Sequence, residues 1–326
     1  MKKTKVCITG ANGFVGTNLT KELVDRDYTV TCIVRKTSDI SFIEDLPLKI
    51  MRVDYDSADS LQKALQDNDY LFHLAARVRA KSKEEFSAAN YELTKRLLKV
   101  AEKVNVKKFI FLSSQAAVGP AKDIHLKTEK ENCCPISLYG KSKLKAEKFL
   151  QDKAKIPYTI IRSVSVFGPY DTDFLTVFKM VKYGIKVKCG FKEKFISLIY
   201  VKDLVKLLIL AAKNKKADGE IFFASDGQTY SRQYFLDEIA SAMNKSTVNI
   251  PVPMPILYST ALWNEIKQNF ADKPYILNLE KAKEIKERFW LCSNEKAQRI
   301  LDFKPDYSLF LALKETYQWY KEEKWL

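Results

Sequence analysis

The stretch Lys5 to Gly16, KVCITGANGFVG, constrains this chain more than any other. Val6, Cys7 and Ile8 form a short apolar run suited to a buried parallel strand, and Gly10, Gly13 and Gly16 follow at three-residue spacing. Such a strand, glycine-rich turn and helix suit a pyrophosphate at the helix N-terminus, where free N–H groups and the helix dipole favour negative charge. Gly10 lets the backbone turn sharply, Gly13 removes the Cβ where phosphates approach, and Gly16 lets the helix pack closely on the strand. With the intervening Asn12, Phe14 and Val15 they form the expected cofactor-binding turn; a plain strand-turn-helix is the alternative.

Strand-like runs then recur at Tyr28 to Val34, Leu48 to Val53, Tyr70 to Leu74, Lys108 to Leu112 and Tyr158 to Arg162, with helices about Asn12 to Arg26 and Phe86 to Val104. This alternation predicts an α/β fold, a Rossmann-type doubly wound parallel sheet with a smaller, discontinuous C-terminal substrate lobe. Residues 1–168 are assigned to the dinucleotide-binding domain, with 196–225 returning to it and a strand regained at Ile221 to Ala224. Residues 169–195 and 226–326 are assigned to the lobe. Pro251, Pro253 and Pro255 make Asn249 to Ile256 an extended, polyproline-like connection. Leu257, Trp263 and Phe270 fall on helical faces as core residues by default, and Trp319 and Trp325 are expected to pack onto the lobe.

Bulk properties narrow the partners. A chain of 326 residues, 46% of them hydrophobic, can bury a large core. The net charge of +15 comes from lysines scattered through every helix, the pattern of a solvated surface, so no nucleic-acid partner is expected. Attraction for an anionic cofactor is the modest inference. The six cysteines show no CxxC pairing, so no metal site is expected; the vicinal Cys133-Cys134 is either a redox handle or a coincidence of a loop. No apolar run is long enough to span a bilayer, and Met1-Lys2-Lys3 leads directly into the first strand, so the expected location is cytoplasmic, without membrane attachment.

The strand ends carry the chemistry. Arg35 and Lys36 close the second strand, where a cation suits the 2′-phosphate of NADP and a carboxylate would suit the ribose of NAD; a surface charge pair is the other reading. Asp54 follows the third strand, either facing an adenine amino group or starting a turn. His73 reads as a packed strand residue, and Leu74, Ala75 and Ala76 let the backbone pass close to a ligand. Ser114 ends the fifth strand. Tyr139 and Lys143 sit four apart on one helical face, which brings an ammonium near a phenol whose ordinary pKa of about 10 is too high for proton exchange at neutral pH.

TGANGFVG, HLAA, SSQAAVGP, YGKSK and SVSVFGP, in that order, resemble the extended short-chain dehydrogenase/reductase family, the NAD-dependent epimerase/dehydratase superfamily, from end to end. The resemblance implies an enzyme with Ser114, Tyr139 and Lys143 as its catalytic triad. It also implies cofactor contacts from the glycine turn, Asp54, Leu74, Ala75, Ala76, Asn90, Tyr139, Lys143 and Val166. The cofactor is expected to be NADP, chosen by Arg35 and Lys36, with NAD as the other choice.

Two branches compete for the substrate. Sugar-nucleotide members commonly carry an asparagine before the VYGP-like segment and an arginine opening the RDFIxVxD-like segment; here Ser165 and Ile196 stand there. SSQAAVGP, FISLIYVKDLV and WYKEEKWL look more like the dihydroflavonol-reductase and 3β-hydroxysteroid-dehydrogenase branch. The expectation is an oxidoreductase acting on a small-molecule ketone, aldehyde or alcohol, with a homodimer left open. A nucleotide-sugar epimerase or dehydratase is the runner-up, with Lys186, Lys188 or Arg232 taking the diphosphate, and a non-catalytic redox sensor is the third reading.

Overall fold

The computed structural model describes residues 3–268, 275 and 277–326. A seven-stranded sheet, all parallel, forms from β1 (Lys5–Thr9), β2 (Thr29–Arg35), β3 (Lys49–Val53), β4 (Tyr70–His73), β5 (Lys108–Ser114), β6 (Tyr158–Ser163) and β7 (Glu220–Ala224), in the order β3-β2-β1-β4-β5-β6-β7. The central strands are buried on both faces, so their apolar residues alternate between two cores. Val6, Ile8, Phe72, Ile110 and Ile161 face one layer, and Cys7, Leu71, Phe109, Phe111 and Ile160 the other. The register pairs Thr9 with both Ile33 and His73, and His73 with Phe111. The carboxyl ends of β2, β1, β4 and β5 therefore share one edge, where ligands bind in open α/β sheets.

The lobe has its own core of Phe167, Phe178, Phe235, Leu313 and Tyr320. Trp319 and Trp325 pack onto it, with ring centroids 4.8 Å apart. Among the described residues, no helix is long and apolar enough to cross a membrane.

Three expectations need correction. The segment expected as polyproline-like is a strand, Val248–Val252, paired in parallel with Ile185–Cys189. On so narrow a ribbon Pro251 can turn its missing donor outward. The helix Met254–Gln268 then buries Leu257 but leaves Trp263 58% exposed; Phe270 lies outside the described residues. Finally, one stretch expected in the lobe returns to the sheet: Cys292, Ala297, Leu301 and Phe303 join the core of Val6 and Ile8, while Leu309, Leu313 and Tyr320 stay in the lobe core.

Candidate active site

The glycine turn meets its three demands by different means. Gly10 has φ +73, and a Cβ there would lie 2.7 Å from the Ala75 nitrogen, so β4 must leave beside a bare backbone. A methyl on Gly16 would land on the Gly10 carbonyl oxygen. At Gly13 only that same oxygen, at 3.3 Å, comes near. Gly13 is the N-cap of the helix Phe14–Asp25 and supplies no side-chain cap, so the first N–H groups of that helix keep their capacity for an anion. These residues fit a dinucleotide pyrophosphate.

Arg35 and Lys36 are exposed at the end of β2, with Arg35 opposite Val53 of β3. Arg52 is a third cation here, overlooked in the sequence; it donates to the carbonyls of Lys36 (2.8 Å) and Ser38 (3.1 Å) and shapes their loop. Asp54 accepts from the Asp56 N–H at 3.0 Å, so it does start a turn, directly after Val53, which pairs with Arg35 at the end of β2. Asn12 donates to the Asp39 carbonyl, tying the glycine turn to the same loop. Tyr55, also unforeseen, donates from its hydroxyl to the Ile33 carbonyl at 2.9 Å, and burial pushes its pKa up.

Ser114 and Tyr139 meet. The serine hydroxyl lies close enough to the phenol to favour its anion, and the serine also caps a short turn by accepting from the Ala116 N–H at 3.1 Å. Tyr139 lies in the first turn of the helix Leu138–Lys153, capped by Ser137. That helix packs so tightly on the turn after β5 that a methyl on Gly140 would land on the Ala116 carbonyl oxygen. Lys143 is buried one turn on, over the Phe111 ring at 4.0 Å, and donates to the Leu112 carbonyl at 2.6 Å. The expected lowering of the tyrosine pKa by this ammonium is not found. Burial pushes Tyr139 up to about 12 against the nearby Ser114 hydroxyl, and the Glu284 charge adds to the rise. Burial likewise brings Lys143 down to about 7, opposed by Glu147.

A buried chain of polar groups supports the cleft floor. Thr9 bonds the His73 ring at 2.7 Å, the other ring nitrogen meets Thr94 at 2.9 Å, and Thr94 donates to the Asn90 carbonyl at 2.6 Å. The Asn90 amide donates to Ser142 (2.9 Å) and accepts from the Arg77 N–H (2.7 Å). Asn90 thus holds the β4 exit against the tyrosine helix. The helix expected from Phe86 to Val104 widens to a π turn, Ser87–Glu92, to present it. His73 is a packed strand residue; burial and the Lys143 charge hold its pKa well below the ordinary value, so it is neutral.

A second buried pair, Glu147 with Arg162 of β6 at 2.7 Å, braces the tyrosine helix, and Glu147 also accepts from Ser113. Arg162 reaches Cys133 at 3.4 Å, while Cys134 is exposed, and both thiols are free. From the lobe, Glu280 accepts from the Leu138 N–H at 2.6 Å. Leu74 and Ala75 line the β4 exit, with Ala76 exposed beyond them. Val166, in the strand Ser165–Phe167, packs against both the sheet core and the lobe core.

Comparison with known proteins identifies the family and the fold. The "NAD dependent epimerase/dehydratase family" matches residues 6–224. The chain is similar to UDP-glucose 4-epimerase of Vibrio cholerae, 32% identical over 76% of this chain and 79% of that one. It is also similar to 3-beta-hydroxysteroid dehydrogenase of Mycolicibacterium neoaurum, 26% identical over 98% of this chain and 92% of that one. The structure of UDP-glucose 4-epimerase from Thermotoga maritima superposes with a TM-score of 0.82 at 21% identity, covering 98% of this chain and 100% of that one, a likeness of fold. With its seven-stranded sheet and glycine turn, the chain belongs to the NAD-dependent epimerase/dehydratase family, whose members are NAD-dependent enzymes of the extended short-chain dehydrogenase/reductase type.

Proposed function

We propose that this protein is an NADP(H)-dependent oxidoreductase that reduces a ketone or aldehyde, or oxidises the corresponding alcohol. The observation that carries this reading is the approach of Ser114 to the Tyr139 phenol, with the buried Lys143 one turn on, at the same sheet edge as an uncapped, glycine-entered helix. A bound nicotinamide would supply or accept the hydride. Ser114 orients the substrate oxygen, and Tyr139 gives or takes its proton. Lys143 contributes positive charge beneath them, and Arg35 and Lys36 favour the 2′-phosphate. The domain division follows: residues 1–168 with 196–225 hold the dinucleotide, and the lobe receives the substrate.

Several features favour a less polar substrate over a sugar nucleotide. Ser165 and Ile196 stand where diphosphate contacts are expected, and Lys186 is ion-paired with Asp237. Similarity to the hydroxysteroid dehydrogenase also spans nearly the whole chain. One observation supports the sugar-nucleotide reading: among the described residues Arg232 has no ion pair, and its backbone N–H bonds the carbonyl of a second cation, Lys194, at 2.8 Å. A thermal-shift screen of the NADP-loaded protein against UDP- and dTDP-sugars beside apolar ketones and alcohols decides between them, since only ligands that bind the folded state raise its melting temperature. Stabilisation by the apolar set is expected. Stabilisation by sugar nucleotides alone would reverse the choice, and tight NADPH binding without turnover of any carbonyl would point to a sensor.

A further inference from the structure

The helix Met254–Gln268 is apolar on two sides, although among the described residues only one of them is covered. Its inner side, through Leu257 and Ala261, packs on Ala282 of the helix Leu279–Lys286. Its outer side carries Ile256 (57% exposed), Leu262, Trp263 and Ile266, which fall within one arc of a helical wheel, with Lys267 beside the indole at 5.2 Å. A surface helix is ordinarily polar on its outer face, and an exposed cluster of large apolar side chains marks an interaction site.

The surroundings identify the partner. From Lys179 to Lys192 the chain carries five lysines and no carboxylate, and from Ile239 to Asn264 it carries no carboxylate at all. The parallel pairing of Ile185–Cys189 with Val248–Val252 joins these two segments. A Cβ on Gly190 would lie 3.3 Å from the Met254 side chain, which puts the exposed Phe191 and Lys192 beside the helix N-terminus. Lys182, Lys188 and Lys192 are exposed and have no ion pair among the described residues. Apolar anchors, a tryptophan and a lysine-rich margin, in which Asp237 neutralises only Lys186, fit an anionic bilayer surface. A second copy of this chain, with its own net charge of +15, would meet like charge.

We propose that the outer face of the helix Met254–Gln268, with the lysine-bearing ribbon beside it, docks on an anionic lipid surface. The docked helix is one helix removed from the chemistry. Its partner Leu279–Lys286 holds the start of the tyrosine helix through Glu280 and faces Tyr139 with Glu284. Docking therefore brings the cleft to the bilayer, and the substrate is drawn from the lipid phase; this second clause rests on the oxidoreductase reading.

The test is co-sedimentation of the full chain with sucrose-loaded vesicles of phosphatidylcholine alone, or of phosphatidylcholine and phosphatidylglycerol in a three-to-one ratio. The protein is expected to bind the anionic vesicles and not the neutral ones. Combined Ile256→Ser, Trp263→Ser and Ile266→Ser should weaken binding at least about tenfold with an unchanged melting temperature, as should Lys182→Gln, Lys188→Gln and Lys192→Gln together. Failure to bind, or binding indifferent to the serine substitutions, overturns the proposal. So does a dimer, seen by sedimentation velocity, that the serine substitutions convert to monomer without any vesicle binding. Turnover of a soluble ketone in the same samples separates the two ideas: vesicle binding without turnover sinks the oxidoreductase reading alone, and turnover without vesicle binding sinks the docking alone.

Discussion

Lys143 gives its ammonium to the main-chain carbonyl of Leu112, 2.6 Å away, while the Tyr139 phenol one turn earlier lies near Ser114. Phenol and ammonium are thus turned to separate neighbours. Each has its own measurable consequence.

The first concerns pH. Burial lowers the folded-state pKa of Lys143 to about 7, whereas the unfolded lysine titrates near 10.5. Between those values the unfolded chain binds the extra proton, so this group makes the cofactor-free protein more stable as pH rises from 7 toward 10, by up to about 1.4 kcal/mol per pH unit. Below pH 7 both states are protonated and the contribution is flat. Chemical denaturation from pH 6 to 9 should show that slope in the wild type, and Lys143→Met should remove it. Equal slopes in the two proteins would refute the assignment.

Tyr139→Phe removes the phenol hydroxyl and leaves the ring. Melting temperature and NADPH affinity should be retained while kcat falls by about a thousandfold or more. Ser114→Ala, which removes only an orienting hydroxyl, should be milder, at about ten- to hundredfold. Steady-state kinetics on whichever carbonyl the screen finds would expose an error if the phenylalanine variant kept more than a tenth of the activity.

Arg35→Ala should weaken NADPH binding by about tenfold or more and leave NADH nearly untouched, because a charge-assisted bond to the 2′-phosphate is lost and nothing else. Isothermal titration with both cofactors checks it. Parallel losses for the two would make Arg35 a structural residue.

Glu147 is fully buried against Arg162. Replacing it with alanine strands a guanidinium whose second terminal nitrogen already has no hydrogen-bond partner in the structure, so Glu147→Ala should cost about 3–5 kcal/mol in urea unfolding. The joint change Glu147→Leu, Arg162→Met should recover much of that loss.

The glycine turn, the sheet and the residues Ser114, Tyr139 and Lys143 were legible because short-range rules fix them: three-residue glycine spacing, apolar runs of strand length, and a four-residue offset on a helix. Arg52, Tyr55, Arg162 and Glu280 were not, because each acts on a partner brought near only by the sheet order or by lobe packing. The Tyr139 pKa was misjudged for the same reason. Helical spacing puts a cation within one turn, but only the tertiary structure turns that cation toward Leu112 and buries the phenol. The proline-rich segment misled in the opposite way, since proline spacing favours an extended chain and says nothing of whether a neighbouring strand will pair with it.

The π turn Ser87–Glu92 works like an inserted letter. Its Leu93 N–H reaches back five residues to Ala88, so the segment holds one residue more than a regular helix of the same span would need. Deleting any one residue there would restore the usual repeat, with the flanking turns still in phase, and the wide turn that presents Asn90 would be lost. Asn90 could then no longer face Arg77 and Ser142 together. Alanine substitution would tolerate most of this turn, whereas its length would tolerate no change.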